Sequence, residues 1–115
     1  MTRSNIYITL SKGKKLFFVV DSSSAPEQGY IVEKIIHPLL AMNDQAKELE
    51  LIFEHSDSIN ELRTNASYRY EINLVKKTVR FFEENYYYKT DTFYKGKDLT
   101  EERYTAYERS LKTPT

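Results

Sequence analysis

In YRYEINLVKKTVRFFEE, residues 68–84, two alternating runs meet at a basic turn, the pattern of a hairpin. With Lys76 and Lys77 as a two-residue turn, Leu74 falls opposite Val79 and Ile72 opposite Phe81 on one face. The other face then sets Arg69 opposite Glu84 and Glu71 diagonal to Arg80, pairs worth about 0.2–1 kcal/mol each on a sheet surface. A slip of one residue would turn Ile72 and Leu74 to the wrong side, so the parity of this hairpin is fixed. Lys-Lys is not a favoured pair for a tight hairpin turn, and a longer loop of the same parity fits equally.

Working towards the N-terminus, Lys47 to His55 alternates Leu49, Leu51 and Phe53 with Glu48, Glu50 and Glu54, the pattern of a half-buried strand. Between the two stretches, Ser56 to Ala66 is polar and predicts a loop, with a helical turn at Ser58 to Arg63 where Ser58 and Glu61 have capping-box spacing. From Gly29 to Asn43, Ile31, Ile35 and Leu39 with Val32, Ile36 and Leu40 form the wide apolar stripe of a helix pressed on a sheet. Pro38 predicts a kink or break in it, since proline has no N–H for the Lys34 carbonyl. Residues 21–28 have loop composition. Before them, Ile6, Ile8 and Leu10 alternate, and Leu16, Phe18 and Val20 resume the spacing after Gly13. A three-residue loop, Ser11 to Gly13, pairs Ile8 with Leu16 and Ile6 with Phe18. Phe17 and Val19 then lie with Tyr7 on the other side, so the second strand is partly covered on both faces.

Towards the C-terminus, Asn85 either turns the chain so that Tyr86 to Tyr94 returns as a further strand, or the strand runs on with a bend. The pattern leaves both open. After Gly96 a helix begins, with Thr100 as N-cap, Glu101 and Glu102 at the positive end of its dipole, and Leu99 stapled to Tyr104. Tyr104, Tyr107 and Leu111 form its inner stripe, and Pro114 follows it. The expected fold is a single α+β domain, residues 1–115. It has a mostly antiparallel sheet of five or six strands: an N-terminal hairpin, a kinked helix, a three- to four-strand meander and a C-terminal helix, both helices on one face. From Gly29 onward the order is similar in topology to that of double-stranded RNA-binding domains. Glu101 and Glu102 stand where those domains carry a lysine cluster, and no family is assigned.

Composition narrows function mainly by exclusion. Seventeen basic residues meet seventeen acidic ones, six against six through Glu50 and eleven against eleven after it, without the basic excess of a dedicated duplex-DNA binder. There is no cysteine for thiolate metal sites, disulfides or nucleophiles. His37 and His55 lack partners at metal-ligand spacing, and Gly13, Gly29 and Gly96 are too scattered for a phosphate-cradling loop. Glu83 and Glu84 point to opposite strand faces and cannot readily share a proton. No apolar run approaches the ~20 residues that span a bilayer, and no export signal is legible, so a cytoplasmic location is expected. The expectation is a non-enzyme with no cofactor and no metal.

What remains is an aromatic concentration. Residues 68–94 hold six of the ten tyrosines and three of the six phenylalanines, interleaved with Arg69, Arg80 and Lys89. Tyr and Arg are enriched at binding hot spots. Arg80, Phe82, Tyr86, Tyr88, Lys89 and Tyr94 are therefore the candidate partner-binding residues, for a protein partner or a second copy of this chain. The alternative is single-stranded nucleic acid, with bases stacked on exposed tyrosines and phosphates tracked by Lys12, Lys14, Lys15, Lys76 and Lys77.

Overall fold

The computed structural model describes residues 2–112, so Pro114 lies outside the described residues. The strands are β1 (Ser4–Thr9), β2 (Lys15–Val20), β3 (Ser58–Ile59), β4 (Tyr68–Asn73), β5 (Thr78–Tyr87) and β6 (Thr92–Asp98). They form one sheet in the order β3-β2-β1-β4-β5-β6. Every neighbouring pair is antiparallel except the central β1 and β4, which run parallel from Ser4↔Tyr68 to Thr9↔Asn73. A parallel pair needs a crossover connection. Helices α1 (residues 30–41) and α2 (Gln45–His55) lie in it, and α3 (residues 100–112) follows β6.

The helices cover one face of the sheet. Ile6, Ile8, Phe18, Val20, Tyr70, Ile72 and Phe81 meet α1 through Ile31, Val32, Ile35, Ile36 and Leu39, α2 through Ile52, and the start of α3 through Leu99 and Tyr104. The architecture is thus the expected α+β one, with β6 a separate strand: β5 runs straight through Asn85, and the chain turns only after Tyr87. The first hairpin has the expected register, Ile6↔Phe18 and Ile8↔Leu16, and Gly13 takes the left-handed conformation at φ 93°.

The second hairpin keeps its parity but moves by two residues, to Ile72↔Val79 and Tyr70↔Phe81. A two-residue primed turn would force left-handed backbone on lysine. Residues 74–77 instead form a longer turn in which only Lys77 has positive φ, and the Asn73 side chain accepts the Lys76 N–H at 3.0 Å. The interruption expected at Pro38 takes the form of a widened helix. Residues Tyr30–Ile36 make π-type turns, with the His37 N–H bonded to the Val32 carbonyl five residues back, before α-helical His37–Ala41. The widening does not depend on proline, because Thr100–Thr105 at the start of α3 make the same π-type turns without one.

Four local expectations are overturned. Lys47 to His55 belongs to α2 and is not a strand. Asp44 caps it by accepting the Ala46 N–H at 3.0 Å and the Lys47 N–H at 3.4 Å. Ala46, Lys47, Glu48, Leu49, Glu50 and Leu51 are all good helix formers. The buried face is Glu48 with Ile52, and Phe53, placed inward by the strand pattern, is 64% exposed. With this segment helical, it is not the first of the three strands behind the similarity in order to double-stranded RNA-binding domains; two helices and the strands β3 to β6 precede α3. Next, Ser58 starts no helical turn, because Ser58–Ile59 pairs with β2 as the short edge strand β3. Thr100 does not cap α3 with its own side chain. Its hydroxyl accepts the Phe81 N–H at 2.9 Å and donates to the Phe81 carbonyl, while Asp98 Oδ1 accepts the Thr100 N–H at 2.9 Å. Leu111 is largely exposed, so the inner stripe of α3 ends at Tyr107.

Candidate binding face

The face of the sheet away from the helices is built in rows set by strand register. The first row across β2, β1, β4 and β5 is Lys15, Thr9, Asn73 and Thr78. Beside it runs Phe17, Tyr7, Glu71 and Arg80, and then Val19, Asn5, Arg69 and Phe82. The first row has short side chains at its centre and the second long ones. A cavity of about 550 Å3 results, lined by both rows together with Lys76 from the β4–β5 turn and Asn60 from the segment after β3.

The third row is closed over. The segment after β3 crosses it, and Asn5 holds that segment by accepting the Arg63 N–H at 2.9 Å and donating to the Arg63 carbonyl at 3.1 Å. Arg63 in turn grips Asp21 with two bonds of 3.1 Å. Under this cover, Glu84 Oε1 accepts from Arg69 Nε at 2.9 Å, while Oε2 accepts from Asn5 at 2.9 Å and from the Tyr7 hydroxyl at 3.1 Å. The Arg69 guanidinium lies 4.1 Å from the Tyr7 ring centre and also donates to the Tyr7 oxygen at 2.9 Å. Burial first, then the negative charge of Glu84, holds the Tyr7 phenol far above its ordinary pKa, against the opposing pull of Arg69. This cluster is fully hydrogen-bonded, which makes it a fastener of β1, β4 and β5.

The six residues singled out from sequence fall in three places. Arg80, Phe82 and Tyr86 lie on the open face. Phe82 is buried between Arg80 at 5.4 Å and Lys95 at 5.0 Å, so its ring holds the sheet surface together and is not presented to a partner. Tyr86 packs on Phe93 at 4.8 Å, and its hydroxyl donates to Asp91 at 2.6 Å. Tyr88 and Lys89 sit in the β5–β6 turn. Tyr94 pairs with Asn85 and, like Tyr87, points to the helix side. Among the described residues no helix reaches that far: Tyr87 is 44%, Tyr94 50% and Tyr88 73% exposed. The hairpin therefore projects as an arm with rings on both faces and at its tip.

The basic turns are elsewhere. Because β1 and β4 are parallel and in register, the Lys12–Lys15 turn and the Lys76–Lys77 turn share one end of the sheet. The tyrosine arm is at the opposite end of the ten-residue β5, about 30 Å away by strand rise. The stacking rings and the phosphate-tracking lysines of the nucleic-acid expectation are thus not brought together.

Sequence reasoning placed the Arg69–Glu84 pair but valued it as a surface contact, and it missed Asn5 and the cavity. The signal for both was the parity of Asn5, Tyr7 and Thr9, which becomes readable only once β1 is known to lie against β4. His37 bonds Glu108 at 2.6 Å and His55 bonds the Tyr30 hydroxyl at 2.8 Å, both joining helical segments or their ends. Among the described residues no group of three or more His, Cys, Asp or Glu is placed to hold a metal ion, and no helix is long and apolar enough to cross a membrane. Compared with known proteins, the chain matches no family model, and no curated protein and no solved structure is significantly similar to it.

Proposed function

We propose that the chain is a non-enzymatic protein-binding module whose contact element is the β5–β6 arm. One observation carries this: Tyr87, Tyr88 and Tyr94 are large, exposed rings on a hairpin that the helices do not cover. Tyrosine supplies broad contact area at low conformational cost, and such rings dominate the desolvated centres of interfaces. The partner is a second copy of this chain or a foreign protein. Self-association has a natural geometry, since β6 is an edge strand with its outer backbone groups free to extend a sheet, and the formal net charge of zero does not oppose it.

Light scattering behind size exclusion, across a wide concentration range, separates the two partners. A dimer that Tyr88→Asp dissociates identifies the second copy. A monomer at every concentration assigns the arm to a foreign protein, which affinity capture from the native host then recovers with the unaltered chain and loses with Tyr88→Asp. Capture that is indifferent to Tyr88→Asp, Tyr87→Asp and Tyr94→Asp overturns the proposal.

A further inference from the structure

The cavity on the open face stands apart from the tyrosine arm and has chemistry of its own. Its floor is the row Thr9, Asn73 and Thr78, and the hydroxyls of Thr9 and Thr78 have no hydrogen-bond partner among the described residues. Asn73 spends its oxygen on the Lys76 N–H, which leaves its amide N–H groups as donors towards the cavity. Three cations, Lys15, Lys76 and Arg80, border the same space. The ammonium groups of Lys15 and Lys76 have no carboxylate partner among the described residues, and Arg80 is held by Asp98. The one carboxylate in the lining, Glu71, is already countered by Arg69 at 3.3 Å and Lys95 at 3.6 Å. The cavity is therefore cationic on a chain whose formal charge is zero.

Phe17 and Tyr7 supply the remaining wall, their ring centres 6.2 Å apart and tilted by 50°. Arg69 lies against the Tyr7 ring, so the Phe17 ring is the freer surface for a planar group. A cationic border, neutral hydroxyl and amide groups on the floor and an aromatic wall match three parts of one ligand: phosphate, sugar and base. The volume falls within the usual range for small-molecule sites. An acidic peptide would need an extended cationic track, whereas this is one depression bounded by two turns.

We propose that the depression bordered by Lys15, Lys76 and Arg80 binds a nucleotide, with its phosphate between the uncountered Lys15 and Lys76 and its base against Phe17. The nucleotide is either free or one unit of a single strand, and the test distinguishes these sources. Adenosine monophosphate, uridine monophosphate, oligouridine and inorganic phosphate are titrated into labelled protein at low salt, with amide chemical shifts as the readout. The expected result is saturable shifts at Thr9, Phe17, Asn73 and Thr78 with a mononucleotide, weakening as salt rises. The combined Lys15→Glu and Lys76→Glu variant lowers affinity at least about tenfold, and so does Thr78→Trp, which fills the floor without changing charge. Phe53→Ser, on the helix side of the sheet and outside both sites, leaves the affinity unchanged.

Tighter binding of oligouridine than of either mononucleotide, mapped to the same amides, assigns the site to a single strand; equal or weaker binding assigns it to the free nucleotide. No shifts at about 5 mM of any nucleotide probe, shifts no larger than inorganic phosphate produces, or affinity indifferent to all the cavity substitutions overturns the proposal.

Discussion

Arg69 Nε donates to Glu84 Oε1 at 2.9 Å in a site where the Glu84 side chain is 1% and the Arg69 side chain 10% exposed. At a sheet surface this pair would be worth a few tenths of a kcal/mol. Buried, its energetics are asymmetric: removing one partner strands a charge and costs about 3–5 kcal/mol, whereas replacing both with apolar residues is often neutral or better. Glu84→Ala and Arg69→Ala should each lower unfolding free energy by about that amount in urea titrations, and Arg69→Met with Glu84→Leu should cost less than the sum of the two, retaining the loss from the Tyr7 hydroxyl it leaves without a partner. A double variant as unstable as the sum of the singles would show that the pair is held by something other than mutual charge satisfaction.

Glu48 is fully buried on α2, where its Oε1 accepts the Ser11 N–H at 3.1 Å and so fastens the helix to the β1–β2 turn. Glu48→Ala removes the only acceptor that this part-buried donor has among the described residues and should cost about 1–3 kcal/mol. Glu48→Gln keeps an oxygen there and should cost less than the alanine change. Equal losses from both would mean that side-chain volume, and not the bond to Ser11, sets the stability.

The start of α3 predicts a response to acid. The Thr100 backbone N–H, followed by the Arg80 guanidinium, lowers the Asp98 carboxyl to about 2. A carboxylate held below its unfolded value contributes stability above that value and loses it as pH falls through the folded one. Asp98→Asn should therefore reduce the thermal midpoint at neutral pH, with the gap to the unaltered protein closing between about pH 4 and pH 2. The contribution is small, because the Asp98 side chain is nearly half exposed and solvent screens the pair with Arg80. A gap that stays constant down to pH 2 would refute this role.

In the arm, Tyr88 at the tip and Tyr94 on the helix side make few contacts that the folded chain needs. Tyr88→Asp and Tyr94→Ser should leave the thermal midpoint within about 2 °C of the unaltered protein, as surface substitutions usually do. Any partner affinity should fall at least about tenfold. A large loss of stability would instead place these rings among the groups that hold the sheet together.

Much of the fold was legible along the chain, because period-two alternation fixes which residues share a face whatever the turn length. Ile6, Ile8, Phe18, Ile72 and Phe81 were placed in the core on that basis and are there. The same rule failed at Lys47 to His55. Over so short a segment, Leu49, Leu51 and Phe53 satisfy a strand pattern, while the Asp44 cap and good helix formers stabilise a helix whose buried side is Glu48 and Ile52. Alternation cannot weigh capping and helix propensity against itself.

Face, parity and composition are readable along the chain: which side chains alternate inward, that Arg69 and Glu84 share a surface, and that the aromatic residues concentrate late in the chain. These follow from backbone geometry repeated every two residues. The parallel pairing of β1 with β4 emerges only on folding, and with it the depth of Arg69 and Glu84, the joining of two basic turns at one end, and the distance of the tyrosine arm from both. Pairing between strands some sixty residues apart depends on the crossover helices burying their stripe against the sheet, and no local pattern records that.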